Sequence, residues 1–332
     1  MEAKEQAARR RRWTILLLQS APLIAFALVL VVFASLSDRF FTLSNFTNIV
    51  TQSSHIAIMA IGMTFVLLTA GIDLSVGAVM YVVVAVLALV LGDLPVLMAF
   101  PLVALLGLAL GAVNGFFVVQ LRGLHPFIIT LSTLFILRGL ALWMTDTRMV
   151  FVEEPIMALG RTSYFGVPWA IWMFLAVFVS AWLVLRETPF GRQVYAVGQD
   201  PVAAAKAGIN VPMVLFAVYC ICGLCAALGG LVSIAQVAAA SSTFGFQKEF
   251  PVIAAAVLGG TSLFGGRGGV VGTVFGAILI QTVENGLVMT NANPYIYPLV
   301  TASIIFFAVL IDSQRSRIAE AMRRRSIRVE EG

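Results

Sequence analysis

The side chains that could do chemistry in this sequence are polar groups that interrupt long apolar runs. Arg138 and Glu284 each lie well inside a run of the length that crosses a bilayer. At 1.5 Å per helical residue each lies roughly 20 Å from the start of its run, so both reach a similar depth if the runs enter from the same face. A charge is costly in hydrocarbon, so such residues usually pair with each other or border a path for a polar solute. Arg138 and Glu284 could therefore form a structural ion pair or border such a path, and the ion pair is favoured.

Two Asn-Gly pairs place side-chain amides inside apolar runs, at Asn114-Gly115 and Asn285-Gly286. An amide both donates and accepts hydrogen bonds, which suits a polar solute on a path through the membrane. Hydrogen bonds between neighbouring membrane helices are an equally common use of such an amide. The pattern leaves open whether these asparagines line a path or hold helices together.

Two short stretches, residues 71–77 and 260–266, share the spacing Gly-x-x-Leu-x-x-Gly and predict breaks in the helices. Glycine-broken segments at corresponding places in two halves of a transporter can mark discontinuous helices beside the transport path. The shared pattern is short and indicates a possible internal repeat. We expect Asp73 to cap a helix and to stay hydrated beside Ser75 and the Gly71 break. The candidate break residues are Gly71, Asp73, Ser75, Gly77, Gly260 and Gly266.

A third pattern predicts a short helix outside the membrane, in the polar loop 186–212. Asp200 suits the N-cap position, Pro201 suits the first helical position, and Gly208 suits the residue after the end. A helix of about two turns is marginal in water. We therefore expect packing to hold it, on this protein or on a partner, although an ordinary structured loop also fits the pattern.

The elements that must position these residues are membrane helices, because the composition does not suit a globule in water. Hydrophobic residues make up 60% of the chain and charged residues 11%, with a mean hydropathy of +1.00, whereas a soluble domain has about 25% charged residues. The sequence predicts an all-α, polytopic membrane protein with about ten transmembrane helices. The alternative is eight spans with two re-entrant segments. The predicted spans are 13–35, 56–70, 74–91, 94–121, 127–145, 167–185, 213–235, 250–264, 270–288 and 295–311.

The charge distribution predicts the orientation and excludes one class of partner. Most of the 21 Lys and Arg residues lie in the two tails and in alternate loops, which the positive-inside rule assigns to the cytoplasm. This gives a basic cytoplasmic tail at 1–12, a single transmembrane domain at 13–312 and a second basic cytoplasmic tail at 313–332. The net charge of +5 forms no basic stripe or motif, so nucleic acid is not an expected partner. Cys220, Cys222 and Cys225 fit small buried groups of a membrane helix better than a metal or redox site.

Four stretches together resemble one known family over most of the chain, from about Asn45 to Asp312. The loop that runs from Gly191 to Ile209 looks like the coupling segment of monosaccharide permeases from bacterial ABC importers, of the ribose and xylose type. The other three stretches are Ala70-Gly-Ile-Asp-Leu-Ser-Val-Gly77, Pro126-Phe-Ile-Ile-Thr-Leu-Ser-Thr133 with Arg138-Gly139, and Leu258-Gly-Gly-Thr-Ser-Leu-Phe-Gly-Gly-Arg-Gly268.

The resemblance implies the permease subunit of an importer in the bacterial inner membrane. Its implied partners are a second permease copy, cytoplasmic ABC ATPase subunits, a periplasmic sugar-binding protein, the sugar and the lipid bilayer. The sequence contains no Gly-x-x-x-x-Gly-Lys-Ser/Thr phosphate loop. We therefore expect ATP and Mg on the partner ATPase, and no cofactor or metal in this chain. Pentoses, hexoses, polyols and sugar-derived signals all remain open as substrates.

The resemblance also assigns roles to residues. It places coupling to the ATPase at Gly191, Arg192, Asp200, Pro201, Ala204, Ala205 and Gly208. Taken with the intramembrane polar groups, it gives a candidate translocation path of Asn114, Phe127, Thr130, Glu284 and Asn285. Glu284 departs from the family pattern, in which a less acidic residue commonly precedes Asn-Gly, and this weakens the transfer of its role.

Two other classes of function remain to be weighed against an ATP-driven permease. An ion-coupled secondary transporter would use Glu284 as a proton or sodium site and would need no partner at 200–208. A membrane-embedded enzyme would need a nucleophile with a base, or metal ligands, inside the spans. His55 and His125 both lie near span ends, so the enzyme is the weakest of the three.

Overall fold

The computed structural model describes residues 26–89, 95–121, 123–304, 306 and 310, and these residues are mostly helical. The prediction of an all-α protein is confirmed. A 3-10 turn at Pro294–Ile296 leads into a last helical segment at 297–304. The helices before it are α1 (Phe26–Leu36), α2 (Leu43–Leu68), α3 (Val76–Leu89), α4 (Val96–Gln120), α5 (Pro126–Met144), α6 (Glu154–Arg161), α7 (Trp169–Glu187), α8 (Pro189–Gln199), α9 (Pro201–Lys206), α10 (Val211–Val237), α11 (Glu249–Leu258) and α12 (Val270–Met289).

Six helices in the described part of the chain are long and apolar enough to cross a membrane, namely α2, α4, α5, α7, α10 and α12. Helices α1, α3 and α11 are apolar but shorter. The polytopic architecture is therefore confirmed, whereas the count of ten spans stays a prediction. Both basic tails, most of the first predicted span and part of the last lie outside the described residues.

The start of the second predicted span is wrong. Helix α2 begins at Leu43, thirteen residues before the predicted start at Ile56. The intervening polar residues fit the helix because their hydroxyl groups bond back to its own carbonyl oxygens. Ser53 and Ser54, for example, donate to the carbonyl oxygen of Val50 at 3.0 and 2.8 Å.

The end of the eighth predicted span is also wrong. The span was expected to reach Phe264, but α11 ends at Leu258. Gly260 has a φ of +89°, a conformation that glycine adopts readily and that a right-handed helix cannot contain. The apolar residues after it therefore belong to an irregular segment rather than to the helix.

The described residues form two compact units, the first made of residues up to Asn45 and from Thr282 onward, the second of Phe46–Gln281. Within the second unit, α3 supplies much of the core, because its residues from Val76 to Ala85 are all buried. It packs against α5 and α10. A helix that is apolar on all sides is expected where helices surround it.

Helices α4 and α10 approach closely because α4 carries glycines at every fourth residue. A Cβ added at Gly107 would lie 2.6 Å from the carbonyl oxygen of Gly223, and one added at Gly111 would lie 2.3 Å from that of Tyr219. Small residues at this spacing let two membrane helices pack backbone against backbone. The contact continues to Gly115 and so fixes the position of the neighbouring Asn114.

Four short strands connect helix ends in the described part of the second unit. Strand β1 (Val150–Phe151) pairs antiparallel with β4 (Ala239–Ala240). Strand β2 (Ser163–Tyr164) forms a hairpin with β3 (Val167–Pro168). The first pair joins the chain after α5 to the chain after α10.

Candidate coupling and translocation site

The short helix predicted in the polar loop is present as α9, and its ends are formed by the expected residues. The Asp200 carboxylate accepts hydrogen bonds from the backbone N–H groups of Val202 at 2.8 Å and Ala203 at 3.0 Å. Pro201 is the first residue of the helix. Gly208 follows the end with a φ of +85°, so the chain can reverse there without strain.

Helix α9 has one packed side and one free side. Ala204 is 4% exposed, whereas Val202 is 62% exposed. The predicted coupling residues divide in the same way: Gly191 and Ala204 are buried, while Arg192, Asp200, Pro201, Ala205 and Gly208 are exposed. The exposed residues can reach a partner, and the buried ones hold the helix in place.

Helix α8 leaves α7 at a close corner that requires Gly191. A Cβ added at Gly191 would lie 2.2 Å from the carbonyl oxygen of Leu185. The backbone N–H of Gly191 donates a hydrogen bond to the Thr188 hydroxyl at 3.2 Å. Further along α8, the Tyr195 hydroxyl donates to the carbonyl oxygen of Gly268 at 2.9 Å. Burial raises the pKa of Tyr195, so this hydroxyl stays protonated and keeps donating. The corner and the tyrosine together fix α8 against the segment before α12.

The chain is non-helical at residues 69–75, between α2 and α3, and at residues 259–269, between α11 and α12. We call these the first break and the second break. The first contains Gly71, Asp73 and Ser75, and the second contains Gly260 and Gly266, both with positive φ.

Gly77 lies in the first turn of α3 rather than in the first break. A Cβ added there would lie 2.3 Å from the carbonyl oxygen of Gly245. Glycine is required at this position because another stretch of backbone passes against the helix.

Asp73 is 1% exposed, so the expectation that it stays hydrated is wrong. Protein donors take the place of water. Its Oδ1 accepts from the N–H of Ser75 at 2.9 Å, from the Ser75 hydroxyl at 2.7 Å and from the Asn114 amide at 3.3 Å. The first two bonds hold the turn that leads into α3, and the third joins the first break to α4.

Two of the predicted path residues, Asn114 and Thr130, are fully buried against the first break. Thr130 on α5 donates its hydroxyl to the carbonyl oxygen of Ile72 at 3.2 Å. The Oδ1 of Asn114 has no hydrogen-bond partner among the described residues. Phe127, one turn before Thr130, is 41% exposed. In this conformation the two polar residues bind the protein itself.

Glu284 and Asn285 lie on the part of α12 that belongs to the first unit. The Oδ1 of Asn285 accepts a hydrogen bond from the amide of Asn45 at 3.0 Å, and both asparagines are buried. Glu284 is half-buried. The Asn285 amide thus joins two helices, which is one of the two uses that the sequence left open.

Arg138 is held by backbone carbonyls and aromatic rings. Its two terminal nitrogens donate to the carbonyl oxygens of Phe244 and Ser242. The guanidinium also lies 4.8 Å from the ring centre of Tyr81 and 5.5 Å from that of Phe246, distances at which a cation is attracted to a ring. Arg138 therefore fixes the chain after β4 against α5 and α3.

Another buried acid, Glu249, was missed in the sequence. Glu249 opens α11 and is 7% exposed. An acidic residue before an apolar run is a common helix start, so nothing in the sequence indicated that Glu249 is buried. The pairing of Arg138 with Glu284 stays a prediction.

Gly198 and Gln199 at the end of α8 were also missed, although both contact the second break. The available signal was a Gly-Gln pair directly before the N-cap Asp200. Beside α8 lies a cavity of about 500 Å³, lined by Trp182, Leu185, Arg186, Tyr195, Gly259 and Gly268 to Gly272. None of the predicted path residues is part of its lining.

The comparison with protein families separates the classes of function left open by the sequence. A family described as branched-chain amino acid transport system / permease component matches residues 45–311. The chain belongs to this family. The permease is therefore a transport component, and the family supports an ABC importer rather than an ion-coupled transporter.

Curated relatives extend the similarity over nearly the whole permease. It is 38% identical over 323 residues to the ribose import permease protein RbsC of Escherichia coli (strain K12), covering 95% of this chain and 100% of the relative. It is 37% identical over 290 residues to the D-allose transport system permease protein AlsC of the same strain, covering 86% and 89%. It is 33% identical over 316 residues to the fructose import permease protein FrcC of Rhizobium meliloti, covering 90% and 86%. No solved structure matches the permease.

These relatives confirm the resemblance to sugar importer permeases that the motifs indicated. With its apolar helices, the chain is a multi-pass protein of the inner membrane. Permeases of ABC importers work with ATPase subunits and with periplasmic binding proteins.

Proposed function

We propose that this permease carries a monosaccharide from the periplasm to the cytoplasm as the membrane subunit of an ATP-driven importer. The relatives named for ribose, allose and fructose import support a sugar as the substrate. The permease supplies the path, and a partner supplies the energy.

The single observation that carries this proposal is α9. A helix of six residues is too short to be stable by itself in water, yet it is capped at both ends and presents an exposed side. We propose that this side, which includes the exposed Val202 and Ala205, docks on the cytoplasmic ATPase together with the exposed Arg192 of α8. The buried Ala204 and Gly191 would hold α9 in the orientation that the partner needs.

The rest of the proposed assembly rests on the similarity to permeases of sugar importers. The permease would pair with a second copy of itself, with both basic tails on the cytoplasmic side as the positive-inside rule predicts. ATP and Mg would bind to the partner ATPase, and this chain would hold no cofactor. A periplasmic sugar-binding protein would deliver the substrate to the opposite side.

Within the second unit, the proposed path borders Asn114, Phe127 and Thr130 near the first break. Glu284 and Asn285 on α12 stay path candidates from the sequence alone. Asn114 and Thr130 are enclosed in the described conformation. Opening the path would therefore require the first break to move away from α4 and α5. This movement is the step that ATP binding or hydrolysis would drive.

Reconstitution of the complete importer tests the proposal. The permease is co-expressed with its neighbouring ATPase and binding-protein genes, purified as a complex and placed in proteoliposomes. Uptake of labelled ribose, allose, fructose and leucine is then measured with and without ATP. We expect ATPase co-purification and ATP-dependent uptake of a sugar. Uptake of leucine instead of sugar would overturn the substrate class, and failure to bind any ATPase would overturn the assembly.

A second arm separates this function from ion-coupled transport through Glu284. A protonophore and a sodium ionophore are added while ATP is kept constant. An ATP-driven importer keeps its uptake rate, whereas an ion-coupled transporter loses it when the gradient collapses.

A further inference from the structure

The last two residues of α8, Gly198 and Gln199, contact the end of α2 and the second break at one point. We call this pair the clasp. The next residue, Asp200, is the N-cap of α9. The clasp is therefore joined to the proposed coupling helix without an intervening loop.

Gly198 lies where backbone meets backbone. A Cβ added at Gly198 would lie 1.7 Å from the carbonyl oxygen of Leu68 and 2.7 Å from the N–H nitrogen of Gly266. Leu68 is the last residue of α2, and its carbonyl oxygen accepts a hydrogen bond from that same N–H at 2.9 Å. A side chain at position 198 would push apart α8, the end of α2 and the second break.

Gln199 adds a directional bond to the same place. Its side-chain nitrogen donates to the carbonyl oxygen of Gly266 at 2.8 Å. Gly266 has a φ of +71°, and a Cβ added there would lie 2.7 Å from the side-chain nitrogen of Gln199. Both backbone polar groups of Gly266 are thus occupied, one by α2 and one by the clasp.

The first break continues directly from the end of α2 and carries this contact into the membrane helices. Its Ile72 carbonyl accepts from Thr130 on α5, and its Asp73 carboxylate accepts from Asn114 on α4. A displacement of the end of α2 would therefore act on two residues of the proposed path.

We infer that Gly198 and Gln199 are positioning residues that transmit movement of α9 to both breaks, and this inference rests on the proposed function. Close-packed backbone transmits displacement well, because there is no side chain between the segments that could absorb it by changing rotamer. Without the clasp, the ATPase still binds α9 and hydrolyses ATP, but the breaks no longer move with it. The residues control the coupling of hydrolysis to transport, not the binding of either partner.

The test compares Gln199→Leu with Gln193→Leu, a matched change on the same helix, in the complete importer. Gln199→Lys restores a donor of sufficient reach, and Gly198→Ala adds a steric variant. For each variant we measure ATPase co-purification, the rate of ATP hydrolysis and uptake per ATP, using whichever of ribose, allose or fructose the wild type imports fastest. Loss of one hydrogen bond of ordinary strength predicts about a fivefold fall in uptake per ATP for Gln199→Leu.

For Gln199→Leu we expect normal ATPase co-purification and normal ATP hydrolysis, but low uptake per ATP. Gln199→Lys should partly restore uptake per ATP, and Gln193→Leu should leave it at the wild-type level. Equal uptake per ATP in Gln199→Leu and Gln193→Leu would overturn the inference. So would a fall in co-purification, hydrolysis and uptake in proportion, since that indicates a merely structural role. Failure of the proposed function would give a different result, because the wild-type permease itself would then co-purify with no ATPase.

Discussion

Asn114 on α4 donates its side-chain amide to the carboxylate of Asp73 in the first break, at 3.3 Å from Oδ1. Both residues are buried, and the same amide also donates to the Ser75 hydroxyl at 2.8 Å. A buried carboxylate is stable when protein donors replace its hydration. This contact therefore joins the irregular segment between α2 and α3 to a membrane helix.

Removing the Asn114 amide should destabilise the permease by leaving Asp73 with fewer donors. For Asn114→Ala we expect a loss of about 1–3 kcal/mol of unfolding free energy, seen as a lower Tm in nanodiscs. Asp73→Asn should also destabilise, and in the double variant the two losses should not add, because they remove one shared contact. Strict additivity would show that the two residues act independently.

Replacing Arg138 should impair the permease even when the positive charge is kept. Lysine cannot donate to two separate carbonyl oxygens from one planar group, as the guanidinium does here. We expect Arg138→Lys and Arg138→Gln both to reduce sugar uptake and Tm. The loss with lysine should be nearly as large as the loss with glutamine. The ion pair favoured by the sequence is tested by a charge swap, Arg138→Glu with Glu284→Arg, and failure to rescue either single variant would count against direct pairing. Rescue by the swap would establish the ion pair considered from the sequence.

The cap of α9 should matter through its hydrogen-bonding oxygen rather than its charge. Asp200→Ala removes the acceptor for Val202 and Ala203 and should cost about 1 kcal/mol of helix stability. Asp200→Asn keeps a good cap. We expect affinity for the ATPase, measured by titration of the purified subunits, to fall severalfold for alanine and to stay near wild type for asparagine. Equal losses in both variants would point to a direct charge contact with the ATPase.

The close contact of α4 with α10 should not tolerate even one methyl group. Gly111→Ala places a Cβ 2.3 Å from the carbonyl oxygen of Tyr219, and such overpacking costs about 1–3 kcal/mol. Gly139→Ala on α5 is the matched control, because a Cβ there meets no atom within 4 Å among the described residues. We expect a lower Tm for the first variant and an unchanged or slightly higher Tm for the second.

The features that local chemistry determines could be predicted from the sequence. The ends of α9 follow from Asp200, Pro201 and Gly208, whose cap and turn preferences do not depend on distant residues. The breaks around Gly71 and Gly260 follow from glycine spacing in the same way. The class of fold follows from composition alone, because so few charges cannot cover a soluble globule.

The features that depend on contacts between distant segments could not be predicted. Asp73 was expected to need water because its donor from α4 is forty-one residues away along the chain. Arg138 was given an acid on α12 as a candidate partner because backbone carbonyls of a loop leave no pattern in the sequence. Gly198 was one more residue of the polar loop 186–212 in the sequence, and only the packing of three segments explains why glycine is required there.

The most direct test of the account is the rate of ATP hydrolysis by the reconstituted importer as sugar-loaded binding protein is added. The same titration is run with sugar-free binding protein and with the Asp200→Ala permease. We expect that loaded binding protein stimulates hydrolysis by wild type, that sugar-free protein stimulates it less, and that Asp200→Ala weakens the response. Hydrolysis that ignores the sugar-loaded binding protein, or sugar uptake that proceeds without ATP, would contradict the account.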